Sequence, residues 1–296
     1  MMSEQNPNFY ISRVALVAQP TQNRLRAYSA VTGNWATLSV TVDTGDTILV
    51  GTNVALVAQP IQNQLHAYSA LTGAWTNLGV TVDTGDTFRV SGNVALVAQP
   101  TQNQLRAYSA ITGGAWDSLG VTVDTGDTFL VDTNVALVAQ PTQNQLRVYS
   151  AHTGAWTSLG VTVDTGDTFR VSGNVALVAQ PTQNQLRAYS AITGGAWDSL
   201  GVTVDTGDTF LVDTNVALVA QSTQNQLRAY SAVTGTWATI GVTVDTGDTF
   251  RVGGNVALVA QPTQNQLRAY SAITGTWATL GVTVDTGDTF LVGADA

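Results

Sequence analysis

The chain has 296 residues and a net charge of −9, with charged residues at 10% and every cation an arginine. That charge density is well below the roughly 25% usual in soluble domains, and its sign argues against nucleic acid or an anionic membrane surface, both of which are held by cations. The absence of cysteine excludes disulfides, thiolate metal sites and cysteine nucleophiles.

The opening MMSEQNPNFYISR is polar and lacks the basic start and apolar run of a signal peptide. No 18 consecutive apolar residues occur anywhere, so no membrane-spanning helix is expected and a cytoplasmic location is. From Val14 onward one unit recurs, NVALVAQPTQNQLRAYSAxTGxWxxLGVTVDTGDTFxV. Its VALVAQ segment starts at Val14, Val54, Val94, Val135, Val175, Val216 and Val256, at spacings of 40 or 41 residues. The longer spacings come from one extra glycine, at Gly113–Gly114 and again at Gly194–Gly195. A second period overlies the first: the segment after DTGDT reads FRV at Phe88, Phe169 and Phe250, but FLV at Phe129, Phe210 and Phe290. Residues 78–140 return unchanged at 159–221, which points to recent copying in pairs.

Within each unit, VALVAQ, QLRAYSA, WATLGV and TFLV are short and apolar-rich. They are bounded by turn-prone PTQN, TGT or TGA, DTGD, and GTN, SGN or DTN. No helical stripe with a 3.6-residue period survives. VALVAQ is apolar on both faces, as suits a strand covered on both sides. Four short strands per unit and seven units predict an all-β chain folded as one domain over 1–296, a seven-bladed β-propeller of four-stranded antiparallel blades. A membrane barrel is a poorer fit, because its strands need about 9–11 residues. A parallel β-helix uses shorter repeats or other glycine patterns.

Tyr28 and Trp35 in YSAVTGNW, and Tyr270 and Trp277 in YSAITGTW, stand seven residues apart across a hairpin. This resembles the kelch or galactose-oxidase-type propeller repeat, and the pair occurs in all seven units. The glycine doublet that kelch repeats place before the hairpin is absent. The AYSxxTG segment also resembles the hairpin of quinoprotein-type propellers, with serine where their aspartate stands. The kelch resemblance implies that TFLV lies innermost in each blade, followed by VALVAQ, QLRAYSA and an outermost WATLGV. On that register 9–13 (FYISR) and 289–293 (TFLVG) compete for one inner-strand position. The C-terminal segment is expected to join the first blade, with FYISR as the alternative.

Several residues invite a chemical reading. DTG is the aspartic-protease signature, but that site needs two facing aspartates sharing a proton. Here a further aspartate always follows, from Asp46 to Asp288, and radial repeats would set the motifs around a rim. DTGD reads instead as a turn, with Asp43 bonding backbone ahead of it and Gly45 at positive φ. Calcium needs six to eight oxygens, and the acid-rich spacing of a dedicated loop is missing. Arg26, Arg106, Arg147, Arg187, Arg228 and Arg268 recur on the tyrosine face of QLRAYSA, with His66 in the second unit. They read either as partners of an aspartate or as polar anchors in a ligand pocket.

Trp35, Trp75, Trp116, Trp156, Trp197, Trp237 and Trp277 read either as wedges between blades or as indoles stacking on sugars, with the amides of PTQNQ as hydroxyl partners. His152 replaces the hairpin Val or Ile and is expected to be exposed. No serine–histidine–acid set, phosphate loop or metal-ligand cluster stands out, so neither enzyme, cofactor nor metal is expected. The sequence therefore leads to a monomeric, non-catalytic scaffold binding protein partners. A multivalent lectin with up to seven equivalent sites, or an amplified propeller without a dedicated ligand, are its alternatives.

Overall fold

The structure, a computed structural model, describes residues 12–285 and 287–293. Each repeat folds as an antiparallel meander. In sheet 2 the hydrogen-bonded order is Thr47–Val50, Val54–Gln59, Gln64–Ser69, Ala74–Gly79. Sheets 3 to 7 repeat that order over 87–120, 128–160, 168–201, 209–241 and 249–281. It is the blade of a β-propeller, about 40 residues long and seven times over, as the repeat predicts. Sheet 1 differs, with three strands among the described residues: Val14–Gln19, Arg24–Ser29 and Trp35–Leu38.

The turns follow from residue chemistry. Between VALVAQ and the strand that follows it, Asn23, Asn63, Asn103, Asn144, Asn184, Asn225 and Asn265 all adopt φ of 52–54°, a left-handed conformation that asparagine tolerates better than most residues. At the next hairpin the Ser69 hydroxyl accepts the amides of Leu71 and Thr72, and Gly73 takes φ 69°. The extra glycine of the third and fifth repeats delays the outer strand, which begins at Asp117 and Asp198, after the tryptophan rather than on it.

The chain divides into two compact units, Met1–Gly120 and Val121–Ala296. In the first, one face of sheet 2 (Val54, Leu56, Ala58, Leu65, Ala67) packs on the opposite face of sheet 3 (Ala95, Val97, Tyr108, Ala110, Trp116). Sheet 1 covers the other face of sheet 2 in the same way, Val14 and Ala27 meeting Ala55, Tyr68 and Ala70. In the second unit, sheet 4 packs on 5, 5 on 6 and 6 on 7 by the same residues of the repeat. Every VALVAQ strand from sheet 2 to sheet 6 is buried throughout.

Polar bonds tie neighbouring sheets as well. The serine of YSA donates to an alanine carbonyl of the next sheet: Ser29 to Ala70 at 2.6 Å, Ser69 to Ala110 at 2.8 Å, Ser150 to Ala191 at 2.7 Å. The asparagine before VALVAQ donates its side-chain amide to the same residue one sheet on. Asn53 reaches Asn93 at 2.7 Å in the first unit, and Asn134, Asn174, Asn215 and Asn255 form a continuous ladder at 2.6–2.7 Å in the second.

Two expectations are corrected. Gly45 does not adopt a positive φ. The turn closes with the Asp46 amide donating to the Asp43 carbonyl at 3.2 Å, the pattern of a type I turn, which needs no left-handed residue. Residues 289–293 (TFLVG) form no strand. They lie beside sheet 7: a Cβ added to Gly253 would meet the Gly293 carbonyl at 2.8 Å. The competing FYISR falls largely outside the described residues, since Phe9, Tyr10 and Ile11 are not among them.

Gly173 is the position where backbone freedom matters most. It has φ 52°, and a Cβ there would lie 2.4 Å from the Thr214 Cα and carbonyl oxygen of the next sheet. Gly173→Ala is expected to destabilise the fold by about 1–3 kcal/mol. Gly126→Ala, where the site is open and φ is not in the left-handed range, serves as the control, with both read by chemical denaturation.

Candidate functional site

The six recurring arginines and the seven tryptophans occupy two different places in the repeat. Tyr and Trp stack in every copy, with ring centroids 5.2–5.7 Å apart and planes tilted by 49–57°. Such tilted contacts suit the aromatic quadrupole. The tyrosines of sheets 2 to 7 are fully buried, and Trp75, Trp116, Trp197, Trp237 and Trp277 pack against the sheet before their own. Trp75 and Trp277 direct their N–H at the carbonyls of Ala36 and Ala238, at 3.5 and 3.3 Å. Trp116, Trp156, Trp197 and Trp237 hold a buried N–H without a protein partner. Trp116 and Trp197, displaced by the extra glycine, are 8% and 9% exposed, whereas Trp35 in the first sheet is 56% exposed.

The arginines belong to a polar relay that crosses all four strands of a sheet. In sheet 3, Arg106 Nε donates to Gln99 Oε1 at 2.5 Å and its Nη1 to Ser118 Oγ at 2.7 Å. Gln99 Nε2 then donates to Asp86 Oδ2 and to the Thr81 carbonyl, both at 2.8 Å. The second aspartate of DTGD is thus linked to the arginine through the last residue of VALVAQ. The same chain of bonds holds Arg147, Arg187, Arg228 and Arg268 through Gln140, Gln180, Gln221 and Gln261 to Asp127, Asp167, Asp208 and Asp248. The Asp86 carboxylate also accepts the Asp83 amide, at 3.1 Å.

The amides of PTQNQ work on the same turn: Gln62, Gln102, Gln143 and Gln183 donate to the first aspartate of DTGD at 2.6–2.7 Å. DTGD is therefore a structural turn clamped by two glutamines.

Sheet 2 runs the relay with histidine. Fully buried His66 meets Gln59 Oε1 through Nε2 and Asn77 Oδ1 through Nδ1, each at 2.8 Å, and Gln59 continues to Asp46 at 2.7 Å. The shorter side chain is matched by a longer outer-strand partner, asparagine where other copies carry serine or threonine. In sheet 1, Arg26 Nε and Gln19 Oε1 are buried without a partner among the described residues. His152 is exposed, as expected, with Nε2 3.1 Å from Asn174 Oδ1.

Burial raises the carboxyls of Asp86, Asp127, Asp167, Asp208 and Asp248 above the usual aspartate range, against the opposing effect of the glutamine bond. Burial likewise lowers the paired arginines, although the aspartates counter it.

Two participants were not singled out in the sequence: the glutamine ending VALVAQ and the serine of YSA. Both recur in every copy at a fixed distance from their partners, so the signal was periodic identity rather than any motif. Among the described residues no group of three His, Asp or Glu side chains gathers as a metal site.

No protein-family model and no curated protein matches the chain. Among solved structures it is similar to Hsv2 of Kluyveromyces lactis, at 10% identity and TM-score 0.34, over 92% of this chain and 94% of that one. It is similar also to the computationally designed Ika8 protein, at 10% identity and TM-score 0.30, over 92% and 85%. A third is a functionally unknown protein from Desulfotomaculum acetoxidans, at 12% identity and TM-score 0.32, over 93% and 100%. Likenesses this weak carry no conclusion about arrangement or activity.

Two outcomes test the relay. Because the five aspartates bind protons more tightly when folded, their contribution to stability is fully present below the unfolded value near 3.8 and declines as pH rises through the raised folded value. Replacing all five by asparagine should therefore flatten the change in thermal midpoint between pH 4 and 7. His66→Arg alone should destabilise, and Asn77→Ser should recover part of the loss, with a coupling of about 0.5–3 kcal/mol in a double-mutant cycle.

Proposed function

We propose that the chain is a non-catalytic scaffold that binds protein partners through the hairpin tips of its blades. The observation that carries this reading is an aliphatic side chain at the variable position of SAxTG in six of the seven repeats, the fourth carrying His152. Val31, Ile192, Val233 and Ile273 stand 38–63% exposed there, on tips pinned by a serine–backbone turn. Scattered single apolar residues are ordinary on a surface. A regular series held at repeat spacing gives a partner several equivalent contacts. The second DTGD aspartate and the strand arginine of sheets 3 to 7 are joined through a glutamine within each blade, which also supports a non-catalytic role. The kelch-like tyrosine–tryptophan hairpin is consistent with such a scaffold, since repeat propellers lend one blade to many purposes.

A multivalent lectin is the second reading. It would use the tryptophans and arginines named above, and exposed Trp35, stacked 5.3 Å over Tyr28, is the observation that favours it.

The test is a comparison between the native chain and a variant with Val31, Ile192, Val233 and Ile273 changed to serine. Loss of a defined, purified partner from the variant, with folding unchanged by circular dichroism, is the expected result. Glycan-array binding that survives the tip changes and disappears with Trp35→Ala would favour the lectin instead.

A further inference from the structure

Sheet 5 carries a carboxylate where the sheets on either side of it carry neutral side chains. Asp198 stands opposite Ala188 on the outer strand; at the same register Thr157 stands opposite Val148 in sheet 4, and Ala238 opposite Ala229 in sheet 6. Asp198 and Leu200 are two residues apart and share one face of their strand, and Leu200 packs in the contact with sheet 6. The carboxylate therefore faces sheet 6. On the opposite face Arg187 is already held, by Gln180 at 2.6 Å and by Ser199 at 2.9 Å.

Across that contact stand fully buried Tyr230 and the half-buried Trp237, their ring centroids 5.3 Å apart. Burial, and after it the charge of Asp198, raises the Tyr230 hydroxyl, so the carboxylate lies within electrostatic reach of the phenol. Two polar groups here are left over. Asp198 is half-buried, and among the described residues its carboxylate makes no hydrogen bond or ion pair. The Trp237 N–H is buried without a protein partner, whereas Trp277 gives its own to the carbonyl of Ala238, the register equivalent of Asp198, at 3.3 Å. Nearby aspartates are bonded: Asp205 and Asp208 accept glutamine amides, and Asp213 accepts from Thr214.

The hairpins of the same two sheets meet beside this place. A Cβ added to Gly235 would lie 3.3 Å from Thr193 Cγ2, and the hairpin tips carry Ile192 and Val233, each 38% exposed. A carboxylate half out of water and without a counter-charge calls for a cation, and an indole face attracts one. Guanidinium fits better than ammonium, because it is flat enough to stack on a ring while its fork of N–H donors matches a carboxylate. The alkyl stem behind it would find Ile192 and Val233 as apolar neighbours. A net charge of −9 favours a basic partner at longer range.

We infer that Asp198, Tyr230 and Trp237 form a recognition site for an arginine side chain of a protein partner. The site deepens the scaffold reading given above and rests on it for the partner, although its chemistry can be tested without one.

The experiment titrates the 15N-labelled full chain with acetyl-arginine-amide and follows the indole N–H signals, Trp237→Phe identifying the one of interest. That signal should move saturably. Acetyl-citrulline-amide, which has nearly the same shape and no charge, should leave it in place. Asp198→Asn, with an otherwise native spectrum, should weaken the response by about tenfold or more. No movement with the arginine probe overturns the proposal. Equal movement with citrulline, or with a methyl glycoside, overturns it in favour of a neutral ligand. An equal loss with Asp117→Asn, which removes the same charge from sheet 3, overturns it in favour of unspecific attraction. The scaffold reading fails separately: a partner that stays bound when the four hairpin-tip residues are changed to serine refutes that reading and leaves the arginine site standing.

Discussion

The structure depends on one constraint, which is that its sheets are apolar on both sides. A four-stranded meander of VALVAQ and QLRAYS has no water-facing surface of its own across its middle strands, so it is stable only with a neighbour on each face. Burial of apolar surface is worth about 25 cal/mol per Å², and it falls here on the contact between repeats rather than within them. Repeat architectures share this property: one unit cannot bury its core alone, and stability is gained at the contacts between units. The fully buried VALVAQ strands of sheets 2 to 6 show that dependence directly.

A surface made this way must also satisfy the polar groups it buries. The asparagine ladder, the serine-to-alanine bonds and the aspartate–glutamine–arginine relay do so, and each is repeated with the period of the sequence. Their cost when incomplete is higher than their gain when complete, because a buried donor without an acceptor loses its hydration and gains nothing. That asymmetry explains why the histidine of the second repeat is accompanied by asparagine on the outer strand. A smaller ring in the arginine position keeps its bonds only if its neighbour reaches farther.

The fold class was legible from the residues: the period, the four strands per repeat and the turn character of DTGD all follow from spacing, apolar runs and turn-forming residues, whereas the strand order came from the kelch resemblance. The rival roles of the tryptophans were legible as a pair of alternatives and no further. Whether an indole stacks outward or wedges between sheets depends on what stands before it. Trp35 and Trp75 hold the same hairpin position in sheets 1 and 2, and Trp75 packs against sheet 1.

Composition and order determined that this chain is a tandem of two-sided β sheets, each ending in turns that asparagine, glycine and serine can make. Only the tertiary structure decided where the polar side chains point. The arginine, glutamine, aspartate and serine of a relay lie 7 to 13 residues apart along the chain, with nothing in that spacing to announce a bond. Antiparallel register sets Arg106 opposite Val97 and Ser118, and the turn before the inner strand folds back to offer its carboxylate. Register also settled the glycine of DTGD: a type I turn closed by an amide-to-carbonyl bond needs no left-handed residue. That glycine is there without its conformational freedom being used.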